Sequence, residues 1–213
     1  MKTQALLLTL IMLVGCSKDL SEHERLLTPR IIDKPAQRML VYELVGDPNE
    51  VGGEAFGALF STFFKLKRQH DMDMKAPIGR WPKALETPKH EWLGIYGLEV
   101  SNSVLEIPAE IQEKYPKLKV ETWEYGKVGE ILHIGSYTNE PPTVDKLHEY
   151  INNSGYEISG LHEEEYLKGP GMFGKGNPDK YYTIIRYPVS KKPAPGGDIE
   201  ESETMEVSKE SVE

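Results

Sequence analysis

The apolar residues of this chain change period in the same way twice, and that repeated change restricts the fold more than any single motif. Met39 to Val45 (MLVYELV) reads as a strand and stops at Gly46-Asp47-Pro48. Residues 53 to 67, GEAFGALFSTFFKLK, then place Phe56, Leu59, Phe60, Phe63 and Phe64 at helical spacing. A Pro- and Gly-punctuated stretch, 69 to 91, follows. Leu93 to Val100 and Lys119 to Tyr125 return to strand patterns, with Gly126-Lys127 as a hairpin turn. The second round starts at Val128 to Tyr137. Pro141-Pro142-Thr143 opens a helix with Val144, Leu147, His148 and Ile151 on one face and Gly155 as its C-cap. Tyr156 to Leu167 and Tyr181 to Val189 finish as strands. Two strand-helix-strand-strand units predict an α+β fold, a curved antiparallel sheet with both helices on one face. The other face is expected to be concave, and a concave face between two halves is a common ligand site.

The flanks have a different character. Lys2 is followed by an apolar run from Ala5 to Val14, interrupted only by Thr9. As a helix those ten residues rise about 15 Å, too short to span a bilayer, which predicts a signal peptide over 1–15. Leu13-Val14-Gly15-Cys16 resembles the bacterial lipobox. The resemblance implies acylation of Cys16, cleavage before it and a lipid-anchored envelope protein. Ser17, where an Asp would retain the protein, implies the outer membrane facing the periplasm if two membranes are present. Cys16 is the one cysteine, so no internal disulfide forms. Residues 16–37 carry no clear period and read as a tether. Residues 190–213 combine Pro, Gly and seven acidic residues with few large apolar ones, and read as a disordered acidic tail. One folded domain is expected over 38–189. The net charge of −9 argues against nucleic acid as a partner.

The second half carries a family pattern. His133-Ile134-Gly135-Ser136-Tyr137, a helix ending at Ser154-Gly155-Tyr156, then Glu164-Glu165-Tyr166-Leu167, Thr183-Ile184-Ile185 and Pro188-Val189 together resemble the GyrI-like effector-binding domain. Val51 to Leu59 resembles that family's first helix. A related pattern, Met74-Lys75-Ala76-Pro77-Ile78 behind the first helix, resembles the SOUL haem-binding family. The first resemblance implies a small-molecule ligand and no cofactor; the second implies haem, for which His148 is a candidate ligand without a clear second one. Regulators with the GyrI-like domain carry a DNA-reading helix-turn-helix before it, and residues 17 to 38 are too few for one.

Three consecutive glutamates, Glu163, Glu164 and Glu165, focus the site. Strand alternation sets Glu164 with Tyr166 on one face and Glu163, Glu165 and Leu167 on the other. The GyrI-like resemblance puts the glutamate two before this tyrosine at the base of the pocket, which is Glu164. A carboxylate among aromatic rings suits a small amphipathic cation. Tyr96, Trp123, Tyr137, Tyr166 and Tyr182 are candidate lining residues, with Trp81 and Trp92 at the rim. Glu163 and Glu165 read as solvated residues of an edge strand. An enzymatic alternative, also implied by the family, is hydrolysis of a strained small ring with Glu164 and Tyr166, about 7 Å apart along a strand, as base and acid. His133 reads as a structural hydrogen-bonding residue. His70-Asp71-Met72-Asp73-Met74 mixes soft and hard donors in consecutive positions and reads as no metal site. Gly-rich 169–177 lacks a phosphate-loop Lys-Ser/Thr and reads as a loop at the pocket mouth.

Overall fold

The computed structural model describes residues 21–82, 87–169 and 176–193. The expected signal peptide, Cys16, most of the loop at 170–175 and the tail from 194 onward lie outside these residues. The elements in chain order are α1 (Ser21–Glu24), β1 (Arg30–Lys34), β2 (Gln37–Val45), α2 (Pro48–Leu66), β3 (Ile78–Trp81), β4 (Leu93–Glu99), α3 (Ala109–Lys114), β5 (Lys119–Trp123), β6 (Gly126–Ile134), α4 (Pro141–Asn153), β7 (Tyr156–Ile158), β8 (His162–Lys168) and β9 (Tyr182–Lys191).

The strands form an antiparallel sheet in the order β1-β6-β9-β8-β3-β4-β2-β5, with β7 pairing the end of β9. The expected duplication is visible in that order. β2-α2-β3-β4 and β6-α4-β8-β9 each place the first strand outermost, the last strand in the middle and the second strand innermost. The two inner strands, β3 and β8, pair across the junction. β5 and β1 extend the two ends.

A short link forces the sheet to curl. β6 is second in the strand order and β5 is eighth, so a flat sheet would hold them roughly 29 Å apart. Trp123 and Gly126 are joined by two residues, which reach at most about 11 Å. The ends must therefore approach, and Lys34 of β1 lies 4.5 Å from the ring centre of Tyr125. Gly126-Lys127 is accordingly not a hairpin turn, because β5 and β6 do not pair with each other.

Both long helices pack on the convex face. Asp47 caps α2 by accepting the Asn49 amide at 2.9 Å, and Pro48 starts its first turn. Ala55, Ala58, Leu59, Phe63 and Leu66 bury against Leu40, Tyr42, Leu44, Tyr96 and Leu98. Leu147 and Ile151 of α4 bury against Ile131, Ile185, Tyr187 and Val189. Gly155, at φ +79°, makes the left-handed turn that ends α4.

The concave interior is filled rather than open. Met39, Val41, Ile78 and Trp123 occupy one end, and Leu26, Leu132 and Ile184 the other. Between them runs a row of alternating charge across five adjacent strands: Arg30, Glu130, Arg186, Glu163 and Arg80. Arg186 donates to Glu130 at 2.9 Å, to Glu163 at 2.7 Å and to Glu165 at 3.0 Å. Arg30 donates to Glu130 at 2.6 Å, and Arg80 donates to Glu163 at 2.8 Å. The Arg80 guanidinium also stacks 3.6 Å from the Trp123 ring centre.

Several expectations change here. Residues 21–37 are not a plain tether: Leu26 is buried and β1 is a full member of the sheet. β9 runs through Ser190 and Lys191, so the folded part ends later than 189. β3, a four-residue strand inside the punctuated 69–91 stretch, is the second strand of the first unit. β8 is central, not an edge, and Glu163 is 1% exposed with two arginine partners.

Candidate functional site

α2 packs on β2 and β4, and α4 on β6 and β9, so on the convex face the inner strands β3 and β8 run between the two helices, a gap in the helix cover. The residues that rise into this gap follow from register. Gly79 pairs with Glu164 and Trp81 with His162. Tyr96 stands beside Gly79 on β4, and Ile185 beside Glu164 on β9. Alternation along β8 sets His162, Glu164 and Tyr166 on this one face.

Gly79 is needed for its missing side chain. A Cβ there would lie 2.7 Å from the Tyr166 hydroxyl, so Tyr166 lies across the space that the glycine vacates. Rings then close around it. Phe56 of α2 meets Tyr166 at 6.0 Å between centroids and Tyr96 at 5.2 Å, both edge-on. Tyr137, in the turn after β6, meets Tyr166 at 5.8 Å. Trp81 packs between Tyr96 and Trp92, at 5.7 and 5.8 Å.

Beneath the rings lie two carboxylates and an imidazole. His162 Nε2 is 2.9 Å from Glu164 Oε1, and its Nδ1 is 2.6 Å from the Tyr187 hydroxyl. Glu140, the residue before α4, makes no capping bond with its side chain. Its carboxylate turns inward instead, and donor atoms of Glu140, His162 and Glu164 lie within 4.8 Å of one another. Burial, and then the charge of Glu164, push the Glu140 carboxyl up to about 9. Glu140 therefore keeps its proton at neutral pH. Burial and Glu164 also push the Tyr96 phenol up to about 12, and those of Tyr137 and Tyr166 upward in the same order of causes. These hydroxyls stay neutral donors. The Tyr166 phenol is further raised by its hydrogen bond to Glu164.

Buried polar atoms near the gap lack partners among the described residues. They include the Trp81 indole nitrogen, the Tyr96 hydroxyl and Glu140 Oε1. Such groups are costly to bury unpaired, at about 1–3 kcal/mol each, and mark where a ligand could supply hydrogen bonds.

The structure thus brings together Glu164, Tyr166, Tyr96 and Tyr137, with Trp81 and Trp92 beside them. It does not bring Trp123 or Tyr182 to the same place. Trp123 lies inside the curled sheet against Arg80. Tyr182 packs with Leu26, Leu132 and Ile184 on that same inner face. The cluster is also on the helix-bearing face, not the concave one as expected. The histidines have separate tasks. His133 faces the Ser136 carbonyl through Nε2 at 3.1 Å, which requires N–H there and leaves Nδ1 to accept from Thr143 at 3.0 Å. This ties β6 to the start of α4. His148 lies edge-on to the Tyr187 ring at 4.8 Å, and its Nε2 is buried without a partner among the described residues. His70 is held by Ser103 at 2.8 Å.

Phe56, Glu140 and His162 are site residues that the sequence reading does not name. His162 was within reach, because the alternation that joins Glu164 to Tyr166 also includes it. Phe56 reads as helix core, and Glu140 stands just before the Pro141-Pro142 helix start; neither carries a local sign of the gap.

Comparison with known proteins agrees with the fold. A model of the GyrI-like small molecule binding domain matches residues 27–190. The structure of an uncharacterized conserved protein from Listeria innocua is similar, with 22% identity, a TM-score of 0.65, and coverage of 80% of this chain and 98% of its own. A hydrolase from Listeria innocua is similar at 22% identity and TM-score 0.64, with the same 80% and 98% coverage. The EcmrR C-terminal domain is similar at 12% identity and TM-score 0.52, covering 77% of this chain and 98% of its own. None of the curated proteins matches the chain.

Proposed function

The chain belongs to the GyrI-like family of small molecule binding domains, and from that membership we propose that the gap between α2 and α4 binds a small amphipathic cation. The positive charge sits against Glu164, with Glu140 as a second carboxyl, and the apolar body lies among Phe56, Tyr96, Tyr137 and Tyr166. The observation that carries this reading is the acidic pair held beneath aromatic rings. The unpartnered Trp81 indole nitrogen and Tyr96 hydroxyl support it, since they would orient a ligand's acceptors. We further propose that the domain works in the cell envelope, anchored through an acylated Cys16. The apolar run and the Leu13-Val14-Gly15-Cys16 order support that placement.

Titration with a fluorescent lipophilic cation tests the site. Glu164→Gln keeps shape and removes charge, so affinity should fall by about 10 to 1000-fold. An uncharged dye of the same shape should lose little. Equal affinities for the two dyes, unchanged by Glu164→Gln, would overturn the reading.

A second reading is hydrolysis of a strained-ring compound. The placement of Tyr166 two residues from Glu164 on one face of β8 supports it, because it sets a neutral acid beside a carboxylate base. Turnover of such a substrate that is lost in both Glu164→Gln and Tyr166→Phe would establish it; binding without turnover would leave only the first.

A further inference from the structure

We propose that Glu140, His162 and Glu164 form a site for a divalent first-row transition metal ion, such as Zn²⁺, Mn²⁺ or Co²⁺. This goes beyond the organic-cation reading and stands whether or not that reading holds.

The donor atoms converge from two separate parts of the fold. Glu140 comes from the turn before α4, and His162 and Glu164 come from alternate positions of β8. One imidazole nitrogen and two carboxylate oxygens lie within 4.8 Å of one another. Bonds of about 2.1 Å to a central ion would set tetrahedral donors about 3.4 Å apart. His162 and Glu164 are 2.9 Å apart and need to open only slightly, while the Glu140 side needs to close by less than the length of one bond. A bulky organic cation keeps its charge centre away from its neighbours by its own substituents. Three donors aimed into so small a volume suit a point charge.

Two further observations point to a ligand there. Glu140 is only 8% exposed, and its Oε1 is buried with no partner among the described residues. An ion there would take the place of the carboxyl proton and give that buried oxygen a partner. The second is the support behind His162. Its Nδ1 is fixed by the Tyr187 hydroxyl at 2.6 Å, which turns Nε2 toward the carboxylates. Outer hydrogen bonds of this kind set the tautomer and orientation of metal-binding histidines. Without an ion, Nε2–H donates to the Glu164 carboxylate at 2.9 Å; a bound ion takes the place of that proton, Nδ1–H then donates to the tyrosine oxygen, and Nε2 gives its lone pair to the ion. A nitrogen-plus-carboxylate donor set selects first-row transition ions over Ca²⁺, which takes oxygen ligands alone. Three protein donors leave a coordination position open toward Tyr166 and the aromatic rings.

The test uses the full processed chain, stripped with a chelator. Titration with Co²⁺ is followed by visible ligand-field absorption, and titration with Zn²⁺ by calorimetry. One ion should bind per chain. Glu140→Gln and His162→Gln should each weaken binding by about 100-fold or more, and Tyr187→Phe by about 10 to 100-fold. Thermal melts check that each variant is folded. Saturable binding unchanged in Glu140→Gln and His162→Gln would place the ion on surface carboxylates and overturn the proposal, as would the lack of any one-to-one Co²⁺ band. The lipophilic-cation titration, run on wild type in excess chelator, is read separately, so failure of one site reading does not imitate failure of the other.

Discussion

Glu163→Gln is expected to be the most destabilising of the three conservative changes in the glutamate run. Glu163 is 1% exposed and accepts from Arg80 at 2.8 Å and from Arg186 at 2.7 Å. Glutamine keeps the volume and one acceptor, but its amide turns an N–H toward a guanidinium. Breaking a buried ion pair from one side typically costs 3–5 kcal/mol, because the partner charge remains buried. Arg186 retains Glu130 and Glu165, and Arg80 retains its stack on Trp123. The lower end, about 3 kcal/mol, is therefore expected, a fall in Tm of about 6–12 °C for a domain of this size. Glu165 has a side chain 21% exposed and one bond to Arg186 at 3.0 Å, so Glu165→Gln should cost about 1 kcal/mol or less. Glu164→Gln should leave the melt unchanged or slightly raised while it removes cation binding. Adding Arg80→Met to Glu163→Gln should recover part of the loss, since it removes the stranded charge. Thermal melts and urea titrations of these variants provide the assay. Small and equal losses at positions 163 and 165 would refute the argument, because they would mean that the charge row contributes nothing as a buried unit.

Two other predictions follow from the same groups and from the N-terminus. Burial alone would raise the Glu130 pKa, but the charges of Arg186 and Arg30 more than offset it and hold the carboxyl below its ordinary 4.5. A depressed folded pKa gives stability that is complete above the unfolded value and is lost as pH falls through the folded one, so the denaturant midpoint should decline below about pH 4.5. Glu130→Gln should start less stable and show a shallower acid limb; parallel limbs would contradict this. Cys16→Ala should block processing and leave an uncleaved precursor, read by mass spectrometry of the membrane fraction. A wild-type N-terminus downstream of Cys16, on soluble protein, would remove the anchor.

Much of the architecture was legible because long periodic segments leave little choice. The stripe from Phe56 to Phe64 and the one from Val144 to Ile151 gave both long helices, and MLVYELV and YYTIIRYPV gave two well-placed strands. β1 and β3 were not legible. Arg30–Lys34 (RIIDK) and Ile78–Trp81 (IGRW) are short, carry charge or glycine, and are held by partners distant in sequence. Tertiary pairing, not local preference, makes them strands. The same limit hid the roles of Glu163 and Glu165. Alternation separates them from Glu164, but it cannot say that the face they occupy is the inside of a curled sheet. That follows only from the two-residue link between β5 and β6, whose meaning depends on the strand order.

The duplication explains why chemistry collects where it does. Each unit's helix must bury its stripe against its own outer and middle strands, so neither helix covers the inner strands β3 and β8. The convex side of that junction contributes least to either core, and polar or glycine residues can stand there at little cost. The two halves use this freedom differently. At paired positions, the second unit provides Glu164 and the first provides Gly79, whose lack of a Cβ admits the Tyr166 ring. At the next paired positions the second unit provides His162 and the first Trp81. One half thus supplies charge, and the other supplies space and an aromatic wall. On the concave side the same two strands supply Arg80 and Glu163, which must satisfy each other because water is excluded there. A single run of glutamates therefore divides by parity into two environments: Glu163 and Glu165 balance arginines that the fold has buried, and Glu164 is left with a carboxyl, an imidazole and rings, with no guanidinium to answer it.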